Sequence, residues 1–172
     1  MKLSDGLDNV KLMTMQPDFY EEFHQKVDGR KVLILGVGNR SRGDDGLGSH
    51  LAERLKGKLN VPLIDAGNVP ENFLRQIEAA QAELVLVLDT ADLRAEPGDL
   101  ALLDISEIGS MSISTHTVNL HLLFKVIPVN RRPQVLVLAV QPQATDFGTR
   151  MSLTARSAMQ GLESLFLGMF GK

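Results

Sequence analysis

Short apolar runs along the chain alternate with stretches in which apolar residues recur every three or four positions. The runs predict five buried strands, at 31–35, 61–64, 84–88, 100–103 and 135–140. Helices are predicted at about 19–27, 46–58, 71–80, 117–127 and 152–170. This alternation is typical of a three-layer α/β/α fold, in which helices cover both faces of a mostly parallel sheet.

Acidic residues stand where the first and third predicted strands end. Asp45 follows the first strand, and Asp89 ends the third. Ligands of open parallel sheets bind beyond the carboxyl ends of the strands, where the strand order reverses. If the first and third strands are neighbours and the second lies outside them, both acids border that crevice. His116 precedes the helix 117–127, and it lies at the same end if the fifth strand is parallel.

Two carboxylates and one imidazole at such a crevice predict a metal site with open positions. Asp45, Asp89 and His116 would supply two oxygens and one nitrogen, a donor set that suits nickel, zinc and similar ions. The start of a helix disfavours the cationic form of a histidine, so His116 is expected to be neutral and able to bind metal. Open positions admit water or a substrate atom, as catalysis requires.

Purely structural roles can account for the same residues without a metal site, and these alternatives stay open at this point. Asp44 is interpreted as a cap of the helix that follows it, and Asp45 could be a favourable charge in that helix's first turn. Asp89 could accept hydrogen bonds from loop amides, and His116 could be a further cap. On the capping interpretation, Asp44→Asn should be milder than Asp45→Asn, because asparagine also caps helices.

A dinucleotide-binding fold is the main rival. Gly36-Val-Gly38 follows a strand, and Asp65 ends the second strand about where a ribose-binding acid would lie. However, Ser41 occupies the third glycine position of that fingerprint. Asp44 and Asp45 also stand where the pyrophosphate should rest, and their charges would repel it.

Composition restricts the class of protein further. The 172 residues are 44% hydrophobic and 23% charged, carry a net charge of −3 and include no cysteine. This balance argues against a nucleic-acid binder, and the missing cysteines exclude thiolate sites and disulfides. Without a signal sequence or an apolar run of roughly 20 residues, we expect a cytoplasmic protein that is not inserted in a membrane. Residues 1–30 are predicted to form an extension with a short helix, and residues 31–172 a single α/β domain.

Six colinear motifs resemble the maturation endopeptidases of nickel–iron hydrogenases. They are the glycine and acid motif of 36–48, Ile64-Asp-Ala-Gly67, Pro70-Glu-Asn72, Val87-Leu-Asp-Thr-Ala-Asp92, Ser114-Thr-His116 and Ala139-Val-Gln-Pro142. Pro70-Glu-Asn72, Thr115-His116 and Gln141-Pro142 look most like the branch that serves formate-hydrogenlyase-type hydrogenases. Ser41 and Arg42 depart from the family pattern, which usually has bulkier apolar residues there.

The resemblance implies an endopeptidase that removes a C-terminal extension from the hydrogenase large-subunit precursor after nickel insertion. The family's metal-contacting positions fall here on Asp45, Asp89 and His116, which are therefore the predicted catalytic and metal residues. Nickel would arrive with the precursor, and other divalent ions can occupy such a site in vitro. The implied fold is a twisted five-stranded sheet between helices, with one antiparallel strand for which 100–103 is the candidate.

The sequence leaves two points of the activity open. Either the metal or one carboxylate would activate the attacking water. A module that checks the nickel site of the large subunit, or acts as its chaperone without cutting, would use the same residues.

Overall fold

The computed structural model describes residues 12–13, 17–108 and 116–172. Within these residues, one sheet contains the strands β1 (Leu12–Met13), β2 (Val32–Val37), β3 (Leu63–Gly67), β4 (Leu84–Thr90), β5 (Leu100–Asp104) and β6 (Gln134–Val140). The helices are α1 (Pro17–Val27), α2 (Leu47–Leu55), α3 (Leu74–Ala80), α4 (Ile105–Ile108), α5 (Thr117–Lys125) and α6 (Leu153–Phe170). Short 3-10 turns lie at Gly43–Gly46, Pro70–Phe73 and Val129–Arg131.

The sheet has the order β1-β5-β6-β4-β2-β3. Strands β3, β2, β4 and β6 are parallel, whereas β5 pairs antiparallel with β6. The five predicted strands, their mostly parallel arrangement and the antiparallel direction of the fourth are therefore confirmed. So is the neighbour order that the site prediction needed, because β2 lies beside β4 with β3 outside. Two residues, Leu12 and Met13, add the edge strand β1.

The element boundaries differ from prediction mainly where the chain is half-exposed or short. Strand β3 begins at Leu63 and continues through Asp65 to Gly67. An edge strand tolerates polar residues, which a prediction based on apolar runs leaves out of the strand. The predicted helix 71–80 divides into a 3-10 turn and α3. Helix α4 has four residues and is too short to show a periodicity.

Two apolar layers lie on opposite faces of the sheet, as the continuous apolar strands predict. Helices α1, α2 and α6 pack on the face that carries Ile34 and Leu86. Helices α3 and α5 pack on the other face, against Leu33 and Val85. Among the described residues, no helix combines the length and the apolarity needed to cross a bilayer.

Helix α1 belongs to the first of these layers, although it lies in the predicted N-terminal extension. Phe19, Phe23 and Val27 are buried at the spacing of one helix face. The ring of Phe23 meets that of Phe166 in α6 edge-on, with 5.8 Å between centroids. The helix therefore contributes to the core on which α2 and α6 are placed.

Helix α2 lies unusually close to the sheet. A Cβ atom at Gly48 would overlap the backbone carbonyl oxygens of Leu88 and Val37. Any side chain at position 48 would push the helix away from the ends of β2 and β4. Glycine thus brings the first turn of α2, and the acidic turn before it, to the carboxyl edge of the sheet.

This packing predicts the effect of Gly48→Ala. The new methyl group meets backbone on two sides and cannot be accommodated by a side-chain rotation, so we expect the free energy of unfolding to fall by about 3 kcal/mol. Urea denaturation measures the change. Gly168→Ala is the matched control, because position 168 lies in α6 and a Cβ atom there would have no neighbour within 4 Å, and it should gain about 0.5–1 kcal/mol. Equal stabilities for the two variants would contradict the close approach of α2.

Candidate active site

Asp45 lies in the 3-10 turn that joins β2 to α2, and its side chain is held from two directions. The carboxylate Oδ2 accepts a hydrogen bond of 3.0 Å from the backbone N–H of Asn39. The same oxygen lies 3.7 Å from Nε2 of His116. Asp45 is only 8% exposed. These contacts orient a buried carboxylate towards the histidine.

Gly38 makes the hydrogen bond from Asn39 to Asp45 feasible. Its φ of +138° lies in a region that side chains disfavour, and a Cβ atom there would overlap the carbonyl oxygen of Asp45. The loop can therefore fold back against the acidic turn. The glycine motif serves close backbone packing around a carboxylate, which differs from the phosphate-binding role of the rival interpretation.

His116 precedes α5 and is 5% exposed, so its charge depends on its neighbours. Burial alone lowers the pKa of the imidazole, but the Asp45 carboxylate and the charges of Asp89 and Glu71 together raise that pKa above its ordinary value. The sequence analysis considered only the helix start, which disfavours the cation, whereas these carboxylates act on the pKa in the opposite direction.

The pKa of Asp45 moves in the opposite direction. Burial raises it, but the interaction with His116 and the hydrogen bond from Asn39 outweigh burial and hold the pKa below its ordinary value. Opposite shifts in an acid and a base are expected when the two stabilise each other's charged forms. Asp45 and His116 thus behave as an electrostatic pair.

Asp89 lies at the carboxyl end of β4, where it pairs with Ala139 of β6. It is 1% exposed, and its Oδ1 accepts a hydrogen bond of 2.8 Å from the N–H of Thr90. Its charge reaches His116, whose pKa it raises. Asp45, Asp89 and His116 therefore lie at the same edge of the sheet.

Lying at the same edge of the sheet does not by itself make these three side chains a complete metal-binding site. Across residues 12–13, 17–108 and 116–172, no three acidic or histidine side chains are arranged to hold a metal ion by themselves. The binding of one ion by Asp45, Asp89 and His116 stays a prediction. The donor types fit such an ion, since carboxylate oxygen and imidazole nitrogen are ordinary ligands of nickel.

Asp44 does not cap α2, and that interpretation is wrong. Helix α2 has Gly46 at its N-cap and no side-chain cap. The fully buried Asp44 carboxylate instead accepts hydrogen bonds from the backbone N–H groups of Gln143, Ala144 and Ser152 and from the Ser152 hydroxyl, at 2.6–3.3 Å. Asp44 therefore ties the acidic turn to the loop before α6.

Sequence reasoning also missed Arg40, which fixes the outer side of the same loop. Its guanidinium donates to the Ser49 hydroxyl at 2.8 Å and to Asp65 at 2.6 Å. Ser49 in turn donates to the other oxygen of Asp65, at 2.7 Å. Asp65 is thus bound within the protein, which counts against its proposed role as a ribose-binding acid. An arginine two residues after a Gly-x-Gly motif was the available signal.

Comparisons with known proteins show similarity in sequence over most of the chain. The sequence profile of a family described as hydrogenase maturation protease matches residues 46–168. That segment includes Asp89 and His116 and begins one residue after Asp45. The hydrogenase 3 maturation protease of Escherichia coli K12 is 30% identical over 131 residues, which is 74% of this chain and 83% of that protein.

Solved structures show the same fold. The nickel–iron hydrogenase maturation protease HycI of Thermococcus kodakarensis superposes with a TM-score of 0.74 at 25% identity, covering 84% of this chain and 95% of that one. The endopeptidase HycI of Escherichia coli gives a TM-score of 0.70 at 28% identity, covering 83% of this chain and 96% of the other. The likeness therefore extends over nearly all of both relatives.

The hydrogen bonds that the buried Asp44 carboxylate accepts predict a large loss of stability for Asp44→Asn, contrary to the capping interpretation. An amide NH₂ would face backbone N–H donors that now share a carboxylate, so we expect the free energy of unfolding to fall by about 2–4 kcal/mol. Urea denaturation followed by circular dichroism measures it. Asp18→Asn is the control, since Asp18 is exposed in the first turn of α1 and should change stability by less than about 1 kcal/mol. A mild effect at position 44 would contradict the stabilising role of these hydrogen bonds.

Proposed function

The chain belongs to the hydrogenase maturation protease family, and from this membership we propose that it removes a C-terminal extension from the large-subunit precursor of a nickel–iron hydrogenase. The observation that carries the proposal is the convergence of two buried carboxylates and one imidazole, from three distant segments, at the carboxyl edge of the sheet. We further propose that the reaction takes place in the cytoplasm.

Nickel enters this proposal as part of the substrate. Asp45, Asp89 and His116 contact the nickel centre of the precursor and thereby hold the neighbouring peptide bond beside them. Because the precursor supplies the remaining ligands, the chain does not need a complete cage of its own. Fixing the bond in this way removes much of the entropic part of the barrier. A precursor without nickel lacks the bridging atom and is rejected.

Hydrolysis then requires a water and a proton acceptor at the same edge. The water oxygen adds to the scissile carbonyl carbon while a carboxylate of the site accepts its proton. The C–N bond breaks, and the leaving amine takes up a proton. Contact with the ion lowers the pKa of a water that binds there, which makes it a better nucleophile.

A non-cleaving role as a nickel-checking or chaperone module is the alternative, since it would use the same side chains. Membership in a family of proteases favours cleavage. A dinucleotide-dependent activity has less support, because Arg40 and Ser49 bind the acid that would hold a ribose.

The proposal predicts that Asp45→Asn, Asp89→Asn and His116→Ala each lower the rate of precursor processing by at least about 100-fold while the protein stays folded. The assay incubates purified protein with nickel-loaded large-subunit precursor and follows the mass of the product. Cleavage appears as a mass loss equal to a C-terminal peptide. Circular dichroism confirms the fold of each variant.

Asp28→Asn is the control for this series, because Asp28 is an exposed acid just before β2, at the opposite end of the sheet. It should process the precursor at the normal rate. Undiminished cleavage by all three site variants would remove the site from the mechanism. A stable complex of the unaltered protein with precursor, without any mass change, would establish the non-cleaving alternative instead.

A further inference from the structure

A groove on the surface lies between helix α2 and the segment 143–152. We call it the basic groove; it has a volume of about 520 Å³, and its walls include Arg40, Arg54, Arg150, Arg156, Met151 and Met159. Four guanidinium groups around one groove are unusual for a chain whose net charge is −3. The fold therefore concentrates positive charge at one place on an acidic protein.

Two of the four arginines are neutralised by neighbouring carboxylates. Arg40 forms ion pairs with Glu53 and Asp65, and Arg54 pairs with Glu163. These pairs hold the inner wall of the basic groove to α2 and α6. Their charges contribute little to attraction at a distance, because each is balanced locally.

The other two arginines carry the net charge of the basic groove. Within the part of the chain that the structure describes, no carboxylate lies within ion-pair distance of Arg150 or Arg156. Arg156 donates two hydrogen bonds to the backbone carbonyl of Met151, which orients its guanidinium without neutralising it. Both side chains are exposed. An acidic group in the groove would meet these two cations.

The outer wall of the basic groove is an irregular segment, yet it is firmly held. Besides the hydrogen bonds to Asp44, the N–H of Gly148 donates to the carbonyl of Ser41 at 2.7 Å, and Arg42 donates to the carbonyl of Thr145 at 3.0 Å. A wall fixed in this way loses little conformational entropy when a partner binds. The same segment presents Phe147, which is 79% exposed.

The basic groove is also adjacent to the predicted catalytic residues. Gly43 lines it, and the same 3-10 turn that contains Gly43 also supplies Asp45. A peptide in the groove therefore lies against the turn that carries Asp45. One protein partner can reach both places at once.

We propose that the basic groove binds an acidic segment of the large-subunit precursor and so contributes affinity that is separate from the contact with nickel. This inference rests on the proposed function. Arginine suits the role because its planar guanidinium forms paired hydrogen bonds with carboxylates. The flexible, partly buried side chain of Met151 adapts to the apolar parts of such a segment.

The test is the double variant Arg150→Glu/Arg156→Glu, assayed with nickel-loaded precursor. Binding is measured by fluorescence anisotropy of labelled precursor, and cleavage by product mass. We expect the Kd and the KM to rise by about tenfold or more, with kcat within about twofold of the original value. Position 156 lies near the start of α6, where a negative charge is favoured, so the fold should be retained.

Two further variants make the result specific. Arg150→Lys/Arg156→Lys keeps the charge and should stay within about threefold of the original KM. Arg131→Glu reverses one charge just before β6, at the opposite end of the sheet, and should have no effect. Added salt should raise the KM of the unaltered protein more steeply than that of the charge-reversed variant.

Each failure has a different signature. If the unaltered protein cuts the precursor and the charge-reversed variant has the same Kd and KM, the basic groove proposal is wrong and the proposed function stands. If the unaltered protein neither binds nor cuts the precursor, both are wrong. Weaker binding of the variant to phosphatidylserine vesicles, with normal binding of precursor, would assign the groove to lipid and overturn the proposal.

Discussion

Two neighbouring carboxylates of one turn are buried together, and the site depends on how each of them is stabilised. Asp44 and Asp45 are fully or almost fully shielded from water. Two adjacent buried anions repel each other, so each needs its own donors. Asp44 receives them from the loop before α6, whereas Asp45 accepts from Asn39 and lies 3.7 Å from the imidazole of His116. The two side chains therefore have different surroundings, since Asp44 binds the loop before α6 and Asp45 faces His116.

The close packing of α2 places the turn that contains Asp44 and Asp45 at the carboxyl edge of the sheet. Because Gly48 has no side chain, the helix begins directly over the ends of β2 and β4. The backbone position of the turn that carries Asp45 is therefore set by backbone contacts, which cannot relax as a flexible side chain would. The same contacts align the outer loop, because Asp44 connects it to the turn. The acidic turn thus connects the predicted site to the wall of the basic groove.

The sequence predicted the parts of this arrangement that follow from local pattern and sheet topology. Apolar runs indicated the strands, and the neighbour order of β2 and β4 then placed Asp45 and Asp89 at one edge. The role of Asp44 could not be predicted, because its partners lie about a hundred positions away and include backbone groups that no residue type reveals. The raised pKa of His116 was missed for a similar reason, since it depends on the approach of several carboxylates.

The two proposals together explain how a site without a complete set of metal ligands can be selective. Contact with nickel alone would accept any exposed ion of suitable chemistry, and a charged groove alone would accept any acidic peptide. A precursor that satisfies both binds through two linked contacts, so the second contact forms at a high effective concentration. Loss of either contact then costs far more affinity than that contact would supply by itself. An incomplete cage among the described residues is an advantage in such a scheme, because a complete one would retain free metal ions and block the edge that the precursor must reach.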